Sequence, residues 1–303
     1  VQRDGTAPRI QLRLNEVELK SVVVIGAGTM GSGIAQWFAQ QHVATILCDN
    51  NPAQAEQARV EIFASWDKLV EKQKLTAGQV EQMKLLLSVK PWTEAPADTT
   101  LVVEAIIENL EIKKTLFKDL SKHFSAKTIL ASNTSSFPIK LMAEALATAE
   151  RARFLGLHFF NPATIMKLVE VIQGDETSET LANDLYDWFE LKGKEPALCA
   201  DAPGFIVNRV ARNFYGEPLR IVGIESEERM KEVDRVLKEV VGFKMGPFEL
   251  MDLMCIDVND AGTCSVYDAF GKAPRFAPGA LQKQMVDEKR CGKKSKRGYY
   301  RYE

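Results

Sequence analysis

Short apolar runs alternate with longer amphipathic segments along the first two thirds of this chain. Four of the runs are nearly continuous in apolar residues: SVVVIG (21–26), ATILCD (44–49), TLVVEAI (100–106) and KTILASN (127–133). Parallel strands that are covered on both faces have this composition. The intervals carry helical periodicity at 30–41, 53–74 and 109–124. The alternation predicts right-handed βαβ units and therefore an α/β fold with a doubly wound sheet.

A glycine-rich turn lies between the first predicted strand and the helix that follows it. VVVIGAGTMGSGIA contains GxGxxG, with Gly26, Gly28 and Gly31 at the fixed positions and Thr29 and Met30 between the last two. In this context the three glycines permit, in order, a tight turn, close approach of a pyrophosphate, and close packing of the helix on the strand. The helix N-terminus offers N–H groups to phosphates. We predict a dinucleotide site, although an empty βα turn would have the same local sequence.

An acidic residue ends the second predicted strand. Asp49 follows Gly26 by 23 residues. A carboxylate there accepts hydrogen bonds from an adenosine ribose and repels a 2′-phosphate. The predicted cofactor is therefore NAD in preference to NADP. The glycine motif alone does not separate NAD from FAD.

The composition excludes several other classes of protein. The 303 residues carry a net charge of −2, which gives no basis for a nucleic acid or an anionic membrane as partner. No apolar run has the length of a membrane span, and the N-terminus has no signal-peptide apolar region. The five cysteines are scattered without metal-ligand spacing. This pattern favours reduced thiols, a cytoplasmic protein and no bound metal.

The alternating pattern ends near residue 201. Before it come three more strand-like segments, RFLGLHFF, KLVEVIQ and EPALCA, and after it Pro203 and Gly204 interrupt the chain. Residues 205–288 are mainly helix and loop by pattern. We predict a Rossmann-type NAD-binding domain at 21–200 and an all-α domain at 201–303. Residues 1–20, which do not begin with Met, are predicted to be a linker or a cloning remnant.

Two ionisable side chains lie in the apolar segment GLHFFNPATIMKLVEV (156–171). Oxidation of an alcohol by a nicotinamide needs a base for the hydroxyl proton, and His158 is the candidate. Glu170, on an adjacent antiparallel strand, would hold the other ring nitrogen. A purely structural His–Glu pair would have the same spacing. His42, in a turn-like segment, and His123, near a helix end, compete for the role of base.

Polar side chains follow the strand at 127–133. ASNTSSFPI (131–139) leaves the edge of the sheet where doubly wound folds bind ligands. Helix capping would explain one of Thr134, Ser135 and Ser136, but not the whole cluster. Asn208 lies in the first turns of the next predicted helix. It is a candidate site residue there, and a surface or capping amide is the alternative interpretation.

Several stretches, in order over residues 21–303, resemble the 3-hydroxyacyl-CoA dehydrogenase family, and its 3-hydroxybutyryl-CoA dehydrogenases in particular. They are VIGAGTMGSGIAQ, LVVEAIIENLEIKK, ASNTSS, GLHFFNPATIMKLVEVI, DAPGFIVNR, MGPFELMD and GYYRY. The resemblance implies NAD-dependent oxidation of (S)-3-hydroxyacyl-CoA to 3-oxoacyl-CoA, or the reverse. It places the reaction in fatty acid β-oxidation or short-chain acyl-CoA metabolism. It also implies a homodimer that forms through the substrate-binding helical domain.

The resemblance assigns roles to single residues. His158 would be the general base and Glu170 its partner, whereas Ser135 would contact both substrate and nicotinamide. Asn208 would hold the substrate oxygens. Further cofactor contacts would come from Glu108, Lys113, Asn161 and Lys294.

The family binds the coenzyme A nucleotide at the positions of Ser65 and Lys72. With Lys68 these residues are spaced i, i+3 and i+7 in the predicted helix 53–74, so Ser65 and Lys72 lie about 10 Å apart along the axis. Cations there would pair with phosphates. A solvated lysine face is the alternative explanation.

Three residues depart from the family pattern, and two other functions stay open. Cys255 and Lys296 stand where glycine is usual, and Pro218 would break or kink a helix interior. A relative similar to L-gulonate dehydrogenase or lambda-crystallin would share the fold, and so would a catalytically silent nucleotide-binding module. HFFNP, MKLVEV and the Ser65–Lys72 face favour the acyl-CoA substrate.

Overall fold

The computed structural model describes residues 17–303, which group into two compact units. Unit 1 comprises residues 17–134 and 139–201, and unit 2 comprises 135–138 and 202–303. Most of the predicted linker or remnant, residues 1–16, lies outside the described residues. Leu19 is buried in the core of unit 1, so the packed part of the chain begins before residue 21.

An eight-stranded sheet forms the centre of unit 1. Its strands are β1 (Ser21–Ile25), β2 (Ala44–Cys48), β3 (Leu87–Val89), β4 (Leu101–Glu104), β5 (Ile129–Ser132), β6 (Phe154–Phe159), β7 (Leu168–Gln173) and β8 (Glu195–Ala200). They are ordered β3-β2-β1-β4-β5-β6-β7-β8, and every neighbouring pair except β6 and β7 is parallel. The predicted doubly wound sheet is confirmed, as is the antiparallel pairing of β6 with β7. β3 was not predicted, because three residues are too few to show a pattern.

Helices cover the sheet of unit 1. They are α1 (Thr29–Gln40), α2 (Pro52–Glu71), α3 (Ala77–Leu86), α4 (Leu110–His123), α5 (Ile139–Ala143), α6 (Thr148–Arg151) and α7 (Glu179–Leu191). The predicted helices 30–41, 53–74 and 109–124 correspond to α1, α2 and α4. The prediction for α2 was three residues too long, since the helix ends at Glu71 and Lys72 is its C-cap.

An aromatic cluster packs α1 and α7 together with β6. Trp37 and Phe38 of α1 lie with ring centroids 5.9 and 6.2 Å from that of Phe159. Trp188 and Phe189 of α7 complete the cluster, and Phe189 stacks on Trp37 at 5.6 Å. All five side chains are buried. The helix that follows the glycine-rich turn is therefore fixed rigidly to the strand that carries His158.

Unit 2 is helical, as predicted. Its helices are α8 (Val207–Val222), α9 (Glu227–Glu239), α10 (Pro247–Met254), α11 (Ile256–Ala269) and α12 (Ala280–Asp287). The core contains Tyr215, Phe248 and Met285. Pro218 is buried inside α8, which continues to Val222, so the expected break of this helix does not occur. No helix within residues 17–303 is both long and apolar enough to cross a membrane.

Candidate active site

The three glycines of the GxGxxG motif differ in how much space a side chain would have at each position. Gly26 has φ +104, and a Cβ there would lie 2.4 Å from the carbonyl oxygen of Ala105. A Cβ on Gly31 would lie 1.8 Å from the oxygen of Gly26 itself. A Cβ on Gly28 would meet no atom within 4 Å. Gly26 and Gly31 are thus required by the turn, whereas the space beside Gly28 is open for a ligand to approach.

The N-terminus of α1 is suited to a phosphate. Its N-cap is Gly28, which has no side chain, and no side chain caps the helix. The exposed Thr29 and the half-buried Met30 begin the helix directly after it. The N–H groups of this first turn, together with the helix dipole, can bind an anion. The residues present therefore fit a dinucleotide pyrophosphate.

Asp49 directly follows β2 and is tied to the same turn. Its Oδ2 accepts a hydrogen bond from the N–H of Ala27 at 2.7 Å, and its Oδ1 accepts one from the N–H of Asn51 at 2.9 Å. The carboxylate is thus held in one orientation, partly exposed, beside the glycine-rich turn. This fixed negative charge lies where the sequence predicted a ribose contact.

His158 and Glu170 form a pair. They stand directly opposite each other in the antiparallel register of β6 and β7. The Nδ1 atom of His158 lies 2.6 Å from Oε2 of Glu170, and both side chains are buried. Since a carboxylate accepts but does not donate, a neutral ring in this contact would carry its hydrogen on Nδ1 and its lone pair on Nε2. The Phe160 ring lies 4.5 Å away and shields the imidazole on one side.

A second charge cluster, buried except for Glu108, lies at the carboxyl ends of β4 and β5. The Nζ atom of Lys113, on α4, is 2.5 Å from Oε1 of Glu104 and 3.0 Å from Oε2 of Glu108. Ser132 donates to Glu104 at 2.6 Å, and Thr134 donates to Glu108 at 2.5 Å. The predicted cofactor residues Glu108 and Lys113 thus lie together.

The sequence analysis missed Glu104. This fully buried carboxylate ends β4 and links Lys113 to the backbone N–H of Ile106 at 2.8 Å. A signal was present in LVVE, where one carboxylate closes an otherwise apolar strand at the ligand-binding edge. Its role is to orient Lys113, because a buried ammonium needs an anion and directed acceptors.

The remaining candidates in unit 1 lie on its surface or near it. Ser65 accepts a hydrogen bond from Gln36 at 2.8 Å and donates to the carbonyl of Ile62. Lys72 and Asn161 are exposed. Of the competing histidines, His42 is exposed in the turn after α1, and His123 contacts the carbonyl of Ala95 at 3.0 Å. Neither competing histidine has the carboxylate partner that His158 has.

The candidates in unit 2 form a smaller group. The side-chain amide of Asn208, in the first turn of α8, donates to the backbone oxygen of Ser135 at 3.4 Å. Arg212, one turn further along α8, is buried and donates to the carbonyl of Asn208 at 3.0 Å. Burial lowers the pKa of this guanidinium. Lys294 is exposed in a short turn near the C-terminus.

A phosphate-binding turn on a doubly wound sheet, together with a buried His–Glu pair on two of its strands, characterises a nicotinamide-dependent dehydrogenase. Residues 21–202 match the NAD binding domain of 3-hydroxyacyl-CoA dehydrogenase, and residues 204–302 match its C-terminal domain. The chain belongs to the 3-hydroxyacyl-CoA dehydrogenase family, a family of NAD-dependent oxidoreductases.

Individual relatives agree with this assignment. The chain is 42% identical over 286 residues to 3-hydroxyadipyl-CoA dehydrogenase of Escherichia coli, covering 94% of this chain but only 59% of that relative. It is 37% identical to human mitochondrial hydroxyacyl-coenzyme A dehydrogenase, covering 95% of this chain and 92% of the relative.

Solved structures show the same similarity. The structure of 3-hydroxybutyryl-CoA dehydrogenase from Escherichia coli has a TM-score of 0.90 at 40% identity, covering 94% of this chain and 60% of that one. The structure of (S)-3-hydroxybutyryl-CoA dehydrogenase from Ralstonia eutropha has a TM-score of 0.87 at 31% identity, covering 94% of this chain and 100% of that one.

Proposed function

We propose that this protein oxidises (S)-3-hydroxyacyl-CoA thioesters to 3-oxoacyl-CoA with NAD+, and catalyses the reverse reduction. The observation that carries the proposal is the buried hydrogen bond of 2.6 Å between His158 and Glu170. Family membership supplies the reaction class. The names of the relatives, which include 3-hydroxyadipyl-CoA and 3-hydroxybutyryl-CoA dehydrogenases, support a 3-hydroxyl on a CoA thioester as the reacting group.

His158 is the base in this mechanism. Its Nε2 takes the proton of the substrate hydroxyl, and NAD+, when bound, would accept the hydride from the carbon that bears this hydroxyl. Glu170 holds the ring through Nδ1–H and stabilises the positive charge that develops on the imidazole. In the reverse direction the imidazolium returns the proton to the developing alkoxide. Ser135 contacts both substrate and nicotinamide, and Asn208 holds the substrate oxygens.

The contacts to the cofactor are assigned residue by residue. The glycine-rich turn with Gly26, Gly28 and Gly31 holds the pyrophosphate, and Asp49 selects NAD by accepting from the ribose and repelling a 2′-phosphate. The further contacts are made by Thr29, Met30, Glu108, Lys113, Ser135, Asn161 and Lys294. The Lys113 network supports this assignment, since a buried lysine fixed by two carboxylates is a preorganised donor.

Coenzyme A binds at Ser65 and Lys72 in this proposal. Lys72 is exposed at the C-cap of α2, where its ammonium can pair with a phosphate. Ser65 already bonds Gln36 of α1 and therefore contributes from a fixed position. We place the reaction in the cytoplasm, in fatty acid β-oxidation or short-chain acyl-CoA metabolism, with a homodimer as the working form.

The test is consumption of NADH with acetoacetyl-CoA, beside reduction of NAD+ with L-gulonate. We expect turnover of the thioester and none of the sugar acid. The same assay on the His158→Gln variant controls for contaminating dehydrogenases. Turnover of L-gulonate alone would assign the sugar-acid reaction instead, and no turnover of either would refute the proposed activity.

A further inference from the structure

A buried lysine lies beneath the loop that joins β6 to β7. Lys194, which precedes β8, is 6% exposed. It makes no ion pair with any carboxylate in residues 17–303, and burial alone lowers its pKa to about 8. A buried ammonium without an anion is costly unless directed acceptors compensate for the lost water.

Two backbone oxygens supply the compensation. The Nζ atom donates to the carbonyls of Ala163 and Met166, each at 2.6 Å. The rings of Trp37 and Phe159 face the ammonium, with centroids at 4.8 and 5.8 Å. Two carbonyl dipoles and two aromatic faces thus surround the charge.

Both carbonyls belong to the loop 160–167, which leaves the strand of His158 and returns on the strand of Glu170. The far end of the loop is held by the N–H of Glu195, which donates to the carbonyl of Lys167 at 2.9 Å. The middle of the loop packs on α1, because a Cβ placed on Gly33 would lie 3.4 Å from that of Ala163. The hydrogen bonds from the Lys194 side chain therefore fix the centre of this loop in position.

We propose that Lys194 is a positioning residue for cofactor binding: its ammonium fixes the loop 160–167 against α1 and so holds Asn161 in place. The role of Asn161 rests on the proposed function, whereas the anchoring of the loop rests on the contacts of Lys194. Lys194 touches neither reactant in this proposal and acts through the loop.

The test compares Lys194→Met with Lys192→Met in the full-length chain. Methionine has nearly the length of lysine but donates no hydrogen bond, so two carbonyls lose their partner. Lys192 is the matched control, since its ammonium lies over the Trp188 ring at 5.6 Å and, within residues 17–303, it forms no ion pair with the loop. Hydrogen exchange of the amides of 160–167 reports the loop without any cofactor. Titration of NADH fluorescence reports binding.

For Lys194→Met we expect faster exchange confined to the loop, and an NADH dissociation constant raised about tenfold, as for a lost buried hydrogen bond. The KM for acetoacetyl-CoA should change much less. Asn161→Ala should weaken NADH binding in the wild-type chain but add nothing in the Lys194→Met background. Lys192→Met should match the wild type in every measurement.

Unchanged exchange of the loop in Lys194→Met, or full additivity with Asn161→Ala, would overturn the inference. If Lys194→Met does not fold, Lys194→Gln, whose uncharged NH2 group lies one atom closer to the backbone, is measured in its place with the same criteria. Failure of the wild-type chain to bind NADH would refute the proposed function instead. The exchange measurement would then still decide whether Lys194 anchors the loop.

Discussion

At the residue scale, the His158–Glu170 pair makes the sharpest prediction. His158→Gln should leave the fold and NADH binding intact while kcat falls by about 10² to 10⁴, the range for losing a positioned base. Glu170→Gln keeps a hydrogen-bond acceptor but loses the charge that stabilises the imidazolium. It should lower kcat with little change in substrate affinity, since the lost interaction grows towards the transition state.

The double variant separates catalysis from packing. Because each residue acts through the other, the two losses in kcat should not add. A purely structural pair would behave differently, since both variants would lose melting temperature and activity would follow the folded fraction. The measurements are kcat of both single variants and the double variant, beside thermal unfolding. Near wild-type kcat in a folded His158→Gln protein would refute the mechanism.

Asp49 makes a prediction about cofactor choice. The wild-type kcat/KM should favour NADH over NADPH by about 10²-fold, since charge repulsion and lost ribose bonds amount to a few kcal/mol. Asp49→Asn should narrow this preference. It should also raise the KM for NADH, because an amide has one acceptor oxygen and Asp49 accepts from two backbone N–H groups. Asp98→Asn is the control, because it removes the charge of an exposed aspartate in the same unit. Equal efficiency with both cofactors in the wild type would contradict the assignment.

At the element scale, the end of α2 gives a prediction about coenzyme A. Lys72→Gln should raise the KM for acetoacetyl-CoA about two- to fivefold, the effect of one exposed ion pair, and leave the KM for NADH unchanged. The effect should fade at high salt because exposed charges are screened. Lys90→Gln removes another exposed lysine of unit 1 and should change neither constant. An equal rise in both variants would point to net charge rather than a site.

Backbone conformation gives the second prediction at this scale. Cys255, between α10 and α11, has φ +74, a region that disfavours a side chain. Cys255→Gly should raise the free energy of unfolding by about 0.5–1 kcal/mol, after the greater flexibility of glycine in the unfolded chain is subtracted. Cys264→Gly, inside α11, should instead lower it by about 1 kcal/mol. Chemical denaturation measures both changes, and a lower stability of Cys255→Gly would show that its side-chain contacts outweigh the strain.

The elements differ in how far their sequence predicts them. Buried parallel strands such as β1 are predictable because they leave a continuous apolar run. The turn at Gly26 is predictable because a side chain at its first or third glycine would collide with the backbone wherever this turn is formed. Glu104 left a signal at the end of an apolar strand, but its partners and those of Lys194 could not be assigned from sequence, because tertiary contacts set them. Lys194 meets the carbonyl of Ala163 across 31 positions, and no local pattern encodes that distance. The exact end of α2 was missed because the residues that follow it, 72–74, are polar and fit either state.

At the scale of the whole molecule, the surface of unit 2 predicts self-association. Val210, Ile221 and Val240 are 64%, 67% and 76% exposed. Two apolar cavities of about 650 and 360 Å³ open beside α8, and both are lined by Phe214. Exposed apolar side chains beside apolar cavities are typical of an interface between proteins.

A second copy of this chain is the partner that we propose for this surface. Light scattering at micromolar concentration should give twice the chain mass of 33.8 kDa. Ile221→Glu places a charge in the wall of the smaller cavity and should shift the protein towards monomer, because an interface that buries an unpaired carboxylate loses several kcal/mol. Leu85→Glu, which changes an 86% exposed leucine of unit 1, should leave the mass unchanged. A monomeric wild-type protein, or equal dissociation of both variants, would exclude unit 2 as the dimer interface.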